Sequence, residues 1–255
     1  MRFVVIGGSG LIGSKVIPIL REHGHEAVSA SQKSGVNVLT GEGLAKALNG
    51  AQVVIDVTNS PSFEEKAVLD FFTKSTGNLL SYEELARVGH HVALSIVGLE
   101  RSPNGYFRAK IAQEKLIKES SIPYSIVRVT QFMEFVNAIA DSATEGNVIR
   151  VPPALIQPIA ADDVASAVAR VAMGSPLNGT VEVGGPEKLT FEQLLRQALA
   201  GRNDPRQIVV DPHGQYYGLQ PGERALVTED GAQLAETRYA DWLKRSTGQI
   251  GLAAH

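Results

Sequence analysis

Short runs of β-branched residues alternate in this chain with longer stretches whose apolar positions recur at helical spacing, and that alternation restricts the fold more than any other feature. The apolar runs are Phe3 to Ile6, Ala27 to Ala30, Val36 to Leu39, Val53 to Val57, Val92 to Ile96 and Tyr124 to Val129. Between them, Leu11 to His23, Gly43 to Leu48, Phe63 to Val88 and Tyr106 to Ser121 carry the helical pattern. Parallel strands need a crossover rather than a tight turn, so this order predicts an α/β chain with a doubly wound parallel sheet. After Val129 the pattern loosens into Pro152-Pro153, a helix from Asp162 to Met173, a strand from Thr180 to Val183 and a helix from Thr190 to Leu199. The expected division is a sheet domain over residues 1–150 and a mixed region, 151–255, that completes the fold and forms a small α+β cap.

The first strand runs directly into Gly7-Gly8-Ser9-Gly10-Leu11-Ile12-Gly13, and the helical stretch Ser14 to Arg21 follows. A helix N-terminus presents unpaired N–H groups and the positive end of the dipole, and side chains there would obstruct a bound pyrophosphate. Gly7 then permits the tight turn, Gly10 the close approach of an anion, and Gly13 the packing of helix on strand. Strand, loop and helix together predict a Rossmann dinucleotide site lined by Gly7, Ser9, Gly10, Leu11, Ile12 and Gly13. A site selective for NAD normally ends its second strand in Asp or Glu, which holds the ribose 2′-hydroxyl. Here the sequence is Ser31-Gln32-Lys33. A hydroxyl, an amide and a point charge suit a 2′-phosphate, so NADP is the expected cofactor and NAD the lesser alternative, while a solvated loop lysine is the other reading of Lys33. Thr58, Asn59 and Ser60 follow the run Val53 to Val57, at the sheet edge where such folds bind ligands, and Asn59 and Ser60 also read as turn formers.

Tyr106 and Lys110 lie four residues apart on a predicted helix, a spacing that stacks them on one face. An ammonium near a phenol stabilises the phenolate and brings a group of pKa about 10 towards neutrality. The bland reading is a core tyrosine and a solvated lysine. With the glycine loop, the run Tyr106-Phe107-Arg108-Ala109-Lys110, Glu114, the strand Tyr124-Ser125-Ile126-Val127-Arg128 and the segment from Gln157 to Val164 resemble the short-chain dehydrogenase/reductase superfamily. The likeness is to its NmrA-like and nucleotide-sugar-epimerase-like branches. It implies that Tyr106 donates a proton, that Lys110 binds the nicotinamide ribose and tunes the phenol, and that Ser95 polarises a carbonyl. The function it implies is an NAD(P)H-dependent oxidoreductase that passes hydride to a small carbonyl, quinone or similar acceptor. The alternatives are a sensor that binds NADP(H) without turnover and a nucleotide-sugar epimerase or reductase.

Other features narrow the field. A net charge of −3 gives no general attraction to nucleic acid or anionic lipid, so a small-molecule substrate is the expected partner and self-association is left open. The absence of cysteine excludes disulfides, a thiol nucleophile and cysteine-ligated metal. Met1 to Ile6 is too short for a signal-peptide core, which together with the missing cysteines leads to an expectation of a cytoplasmic protein. His90-His91 lack a third ligand at metal spacing and read as strand-entry residues, so no metal is expected. Asp162-Asp163 read as the N-cap and first turn of a helix. Phe132, Tyr216 and Tyr217 are the expected substrate-pocket residues, with core or surface packing as the alternative.

Overall fold

The structure is a computed structural model describing residues 1–101 and 104–252. Its elements in chain order are β1 (Arg2–Ile6), α1 (Gly13–Glu22), β2 (Glu26–Ala30), α2 (Leu44–Leu48), β3 (Val53–Asp56), α3 (Glu65–Ala86), β4 (His90–Ile96), α4 (Gly105–Glu119) and β5 (Tyr124–Val129). They continue with α5 (Val136–Ser142), β6 (Thr144–Glu145), β7 (Val148–Val151), β8 (Leu155–Ile156), α6 (Ala161–Met173), β9 (Gly179–Gly184), β10 (Leu189–Thr190), α7 (Phe191–Arg202), β11 (Gln207–Val210), β12 (Gln233–Leu234) and α8 (Tyr239–Leu252).

A seven-stranded parallel sheet has the order β12-β9-β5-β4-β3-β1-β2. In β1 the residues Phe3, Val4, Val5 and Ile6 are all buried, as a strand covered on both faces requires, and this explains a continuous apolar run instead of an alternating one. On one face Val4, Ile6 and Val54 pack with Leu44 and Leu48 of α2 and Leu79 of α3. Because β1 lies between β2 and β3, strand order reverses there, and such a reversal opens a crevice at the strands' carboxyl ends.

The expected strand from Val36 to Leu39 is corrected by the structure, which has a turn there. The Asn37 side chain accepts from the Leu39 N–H at 2.9 Å, and Asn37 also donates to the Glu42 carbonyl at 2.9 Å. Gly41 and Gly43 then take positive φ of 80° and 74°; Val36 is buried in the core, Val38 packs against it only in part, and β2 is left as the edge of the sheet.

Packing divides the chain into two compact units: Met1–Arg128 with Val164–Val181, and Val129–Asp163 with Glu182–His255. The second unit holds a three-stranded sheet of order β11-β7-β6 and the pair β10-β8. In it Gln157 is buried, accepting from the Thr228 N–H at 2.9 Å and donating to the Gly185 carbonyl at 2.7 Å. Asp162 and Asp163 occupy the first turn of α6, but the cap is Glu134, whose carboxylate accepts from the Ala161 N–H at 3.1 Å. Asp163 instead accepts from the Thr237 N–H at 3.3 Å. Among the described residues no helix is long and apolar enough to cross a membrane.

Candidate functional site

The glycine loop closes the end of β1. Gly7 has φ +79°, and its N–H donates to the Ala30 carbonyl at the end of β2, 2.9 Å away. A Cβ at Gly7 would stand 3.0 Å from the Val57 carbonyl, so the loop lies against the carboxyl end of β3. At Gly13 a Cβ would come within 2.5 Å of both the Gly7 carbonyl and the Gly8 Cα, which only glycine avoids. Gly8, to which the sequence reading gave no role, is packed as tightly, with Ser29 Oγ at 2.5 Å. Gly10 differs. A Cβ there meets only the Gly7 carbonyl, at 3.2 Å, so the protein itself leaves room. Ser9, Gly10 and Leu11 are exposed, and no side chain caps α1 at Ile12. An uncapped N-terminus behind a bare backbone loop fits the diphosphate of a dinucleotide.

The other residues of this edge come from β2, β3 and the helix after β4. Gln32 and Lys33 are exposed beyond β2, while the Ser31 N–H donates to Ser34 Oγ at 2.8 Å. Asp56, the last residue of β3, is 2% exposed. Its Oδ1 accepts from the Thr58 N–H at 2.9 Å and the Thr58 hydroxyl at 2.7 Å. Asn59 Oδ1 accepts from the Ser60 N–H at 3.0 Å, and buried Ser60 accepts from the Ser62 N–H at 3.2 Å, so Ser60 serves the local turn. Asn59 does more, because its Oδ1 also takes the Tyr106 hydroxyl at 2.9 Å.

In α4, Asn104 caps the helix by accepting from the Phe107 N–H at 2.9 Å. Tyr106 packs edge-on against Phe72 of α3, with ring centroids 5.9 Å apart, and beside Phe63 at 6.1 Å. Burial pushes its phenol up to about 12. Lys110, expected beside the phenol, has its ammonium turned inward. It is 3% exposed, donates to the Leu94 carbonyl at 2.8 Å and to Gln113 Oε1, and sits 4.4 Å from the centroid of the Phe72 ring. Burial lowers it to about 8, against the pull of Asp56 and Glu114.

Ser95 is likewise corrected. Its hydroxyl donates to Glu114 Oε1 at 2.7 Å, and the same carboxylate takes Arg128 at 2.8 and 2.7 Å and Lys118 at 3.0 Å. Burial would raise Glu114, but Arg128, Ser95 and Lys118 outweigh it and hold the carboxyl below its ordinary value. A serine tied to an ionic cluster under α4 has no proton left to offer a carbonyl. Gln113 was missed by the sequence reading. The signal was present for Gln113, since Lys110, Gln113, Glu114 and Ile117 follow core spacing and all four are buried.

The expected pocket residues all fall in the second unit. Phe132 is half-buried and pairs rings with Phe135 at 5.6 Å, and Tyr216 stands between Phe191 at 5.7 Å and Tyr217 at 4.9 Å. Tyr217 has a positive φ of 48° and is 49% exposed. His90 and His91 lie fully within β4 and serve the core, His91 Nδ1 standing 2.9 Å from both oxygens of buried Glu83.

Residues 7–173 match the family described as NAD(P)H-binding. No curated protein matches the chain. Among solved structures, a short-chain dehydrogenase/reductase superfamily protein from Agrobacterium tumefaciens with bound NAD is similar at 17% identity, TM-score 0.74, covering 100% of this chain and 99% of that one. The UDP-glucose 4-epimerase of Thermus thermophilus in complex with NAD has 18% identity and TM-score 0.68, over 85% of this chain and 89% of that one. The UDP-glucose 4-epimerase of Thermotoga maritima with UDP-glucose has 15% identity and TM-score 0.73, over 100% of both. Likenesses at these identities carry the fold alone.

Proposed function

The chain belongs to the NAD(P)H-binding family, and from that premise we propose that it is an NADPH-dependent reductase of a small carbonyl, quinone or similar electron-poor acceptor. The nicotinamide supplies the hydride. The glycine loop and the uncapped N-terminus of α1 hold the diphosphate, and Ser31 and Lys33 hold the 2′-phosphate. Two of the solved structures named above carry NAD, but the lack of a carboxylate at Ser31-Gln32-Lys33 supports NADP here. Lys110 takes the ribose hydroxyls, and Tyr106 gives its proton to the acceptor oxygen.

The observation that carries this reading is the 2.9 Å hydrogen bond from the Tyr106 hydroxyl to Asn59 Oδ1. It fixes a phenol on α4 against the residues that follow β3, at the carboxyl edge the glycine loop also faces. A phenol held near 12 keeps its proton throughout the neutral range, which suits a donor and not a base. The test is loss of NADPH absorbance with a panel of quinones, aldehydes, ketones and imines. Turnover of any member supports the reductase. NADPH binding with no turnover across the panel favours the sensor.

A second reading, epimerisation of a nucleotide sugar, is favoured by the fold shared with epimerases solved with NAD and with UDP-glucose. Interconversion of UDP-glucose and UDP-galactose by the NAD-loaded protein, with no NADPH oxidation, would select it.

A further inference from the structure

Gln113 has no part in the reading above, yet it is one of the most committed side chains on α4. It is 2% exposed, its Nε2 donates to Asp56 Oδ2 at 3.0 Å, and its Oε1 accepts from the Lys110 ammonium. Asp56 is fixed in turn by the Thr58 N–H and hydroxyl, so an unbroken chain of hydrogen bonds runs from the end of β3 to Nζ of Lys110. The Gln113 amide suits this place because it donates to a carboxylate with its nitrogen and accepts from an ammonium with its oxygen while staying neutral. A carboxylate in its place would oppose Asp56, and an apolar group would leave both Asp56 Oδ2 and an ammonium N–H unpaired in a buried place.

We infer that Gln113 is a positioning residue: by bridging Asp56 to Lys110 it holds the ammonium against the Leu94 carbonyl and directs the remaining N–H bond towards a ligand. This rests on the reading that Lys110 contacts the cofactor ribose. The charged groups facing Lys110 are Asp56 from β3 and Glu114 from its own helix, while α3 presents the Phe72 ring and β4 a carbonyl. Both carboxylates pull on the ammonium, Asp56 more strongly, and Asp56 is the one joined to Nζ through Gln113, while Glu114 also holds Arg128 and Ser95.

Two substitutions of nearly equal volume pull in opposite directions. Gln113→Met removes an acceptor from the ammonium, and Gln113→Glu adds a negative charge beside it. The whole 255-residue chain, free of cofactor and labelled at lysine, is titrated by NMR, with Lys110→Met identifying the signal. Relative to wild type, the Lys110 signal is expected to titrate about one pH unit lower in Gln113→Met and about one higher in Gln113→Glu. NADP affinity at pH 7 is expected to fall about tenfold in both, with unchanged circular dichroism. A residue that only fills space would not move the lysine in opposite senses. Wild-type titration in both variants, or a shift of the same sign in both, overturns the inference. If the shifts appear but added NADP leaves the wild-type Lys110 signal unmoved, Gln113 positions Lys110 and it is the cofactor role of Lys110 that fails.

Discussion

Gly10 and Gly13 sit three residues apart in one loop, yet different surroundings require them. At Gly13 the obstacle is the chain's own backbone, so Gly13→Ala is expected to destabilise the fold by about 2 kcal/mol or more, read as a lowered urea midpoint. At Gly10 the protein offers no such obstacle, and Gly10→Val is expected to fold normally while losing dinucleotide binding in calorimetric titration. Retained affinity in that variant would remove the loop from the cofactor site. Lys33 is exposed, so its substitution tests cofactor choice with little structural cost. Lys33→Ala is expected to weaken NADPH by about ten to a hundred fold relative to NADH, the effect of one charge-assisted contact of about 1.5 to 3 kcal/mol. Equal losses for both cofactors would show that no 2′-phosphate is held there. Tyr106→Phe keeps the edge-on packing against Phe72 and removes the proton; kcat for a simple ketone or aldehyde is expected to drop by about 10² to 10⁴ with NADPH affinity little changed. Full activity in that variant would make Tyr106 a packing residue.

Among the elements, β4 shows how one strand serves two ends. Towards its carboxyl end it supplies the Leu94 carbonyl to Lys110, and at its start His90 is buried with Nε2 2.8 Å from Ser125 Oγ. That oxygen also accepts from the Leu177 N–H at 3.0 Å. Burial holds His90 at about 4, below its ordinary 6.5. With the folded value below the unfolded one, the unfolded chain takes the proton first, so this contribution is complete above about pH 6.5 and is lost as pH falls towards 4. Between pH 7 and pH 5 the wild type is expected to lose about 2 kcal/mol more than His90→Leu, measured by urea unfolding at each pH. Parallel curves would refute the lowered value. The strands β1, β3, β4 and β5 were legible because burial on both faces writes continuous apolar runs, and the glycine loop because its shape excludes Cβ atoms at Gly7 and Gly13, whereas the short, exposed β12 left no such run. Val36 to Leu39 was misread since four apolar-rich residues look alike in a strand and in a turn, and the Asn37 and glycine contacts that decide the matter form only in three dimensions. Ser95 was misread for a related cause: spacing places a side chain on a strand but does not say that Glu114 and Arg128 wait on the face it meets. Gln113 went unseen because polar residues at core spacing look like solvated ones until their partners are known.

For the whole molecule, ligand and fold are linked. A cofactor present at one hundred times its Kd adds about 2.7 kcal/mol to stability, so saturating NADPH is expected to raise Tm by roughly 5 to 10 °C in the wild type and by nothing in Gly10→Val. A wild-type Tm indifferent to both NADPH and NADH would deny the binding altogether. The interleaving of the two units matters in another setting, that of synthesis. The first unit takes α6 and the start of β9 from residues 164–181, so a nascent chain that has released Arg128 still lacks them. At ordinary elongation rates that interval lasts about 3 to 10 s. Until it ends, β5 has no neighbour on one side and stands as an open edge of apolar backbone, the kind of surface that chaperones bind and that recruits other unfinished chains. Any slowing of synthesis before residue 181 therefore lengthens the interval in which β5 is an unpaired edge.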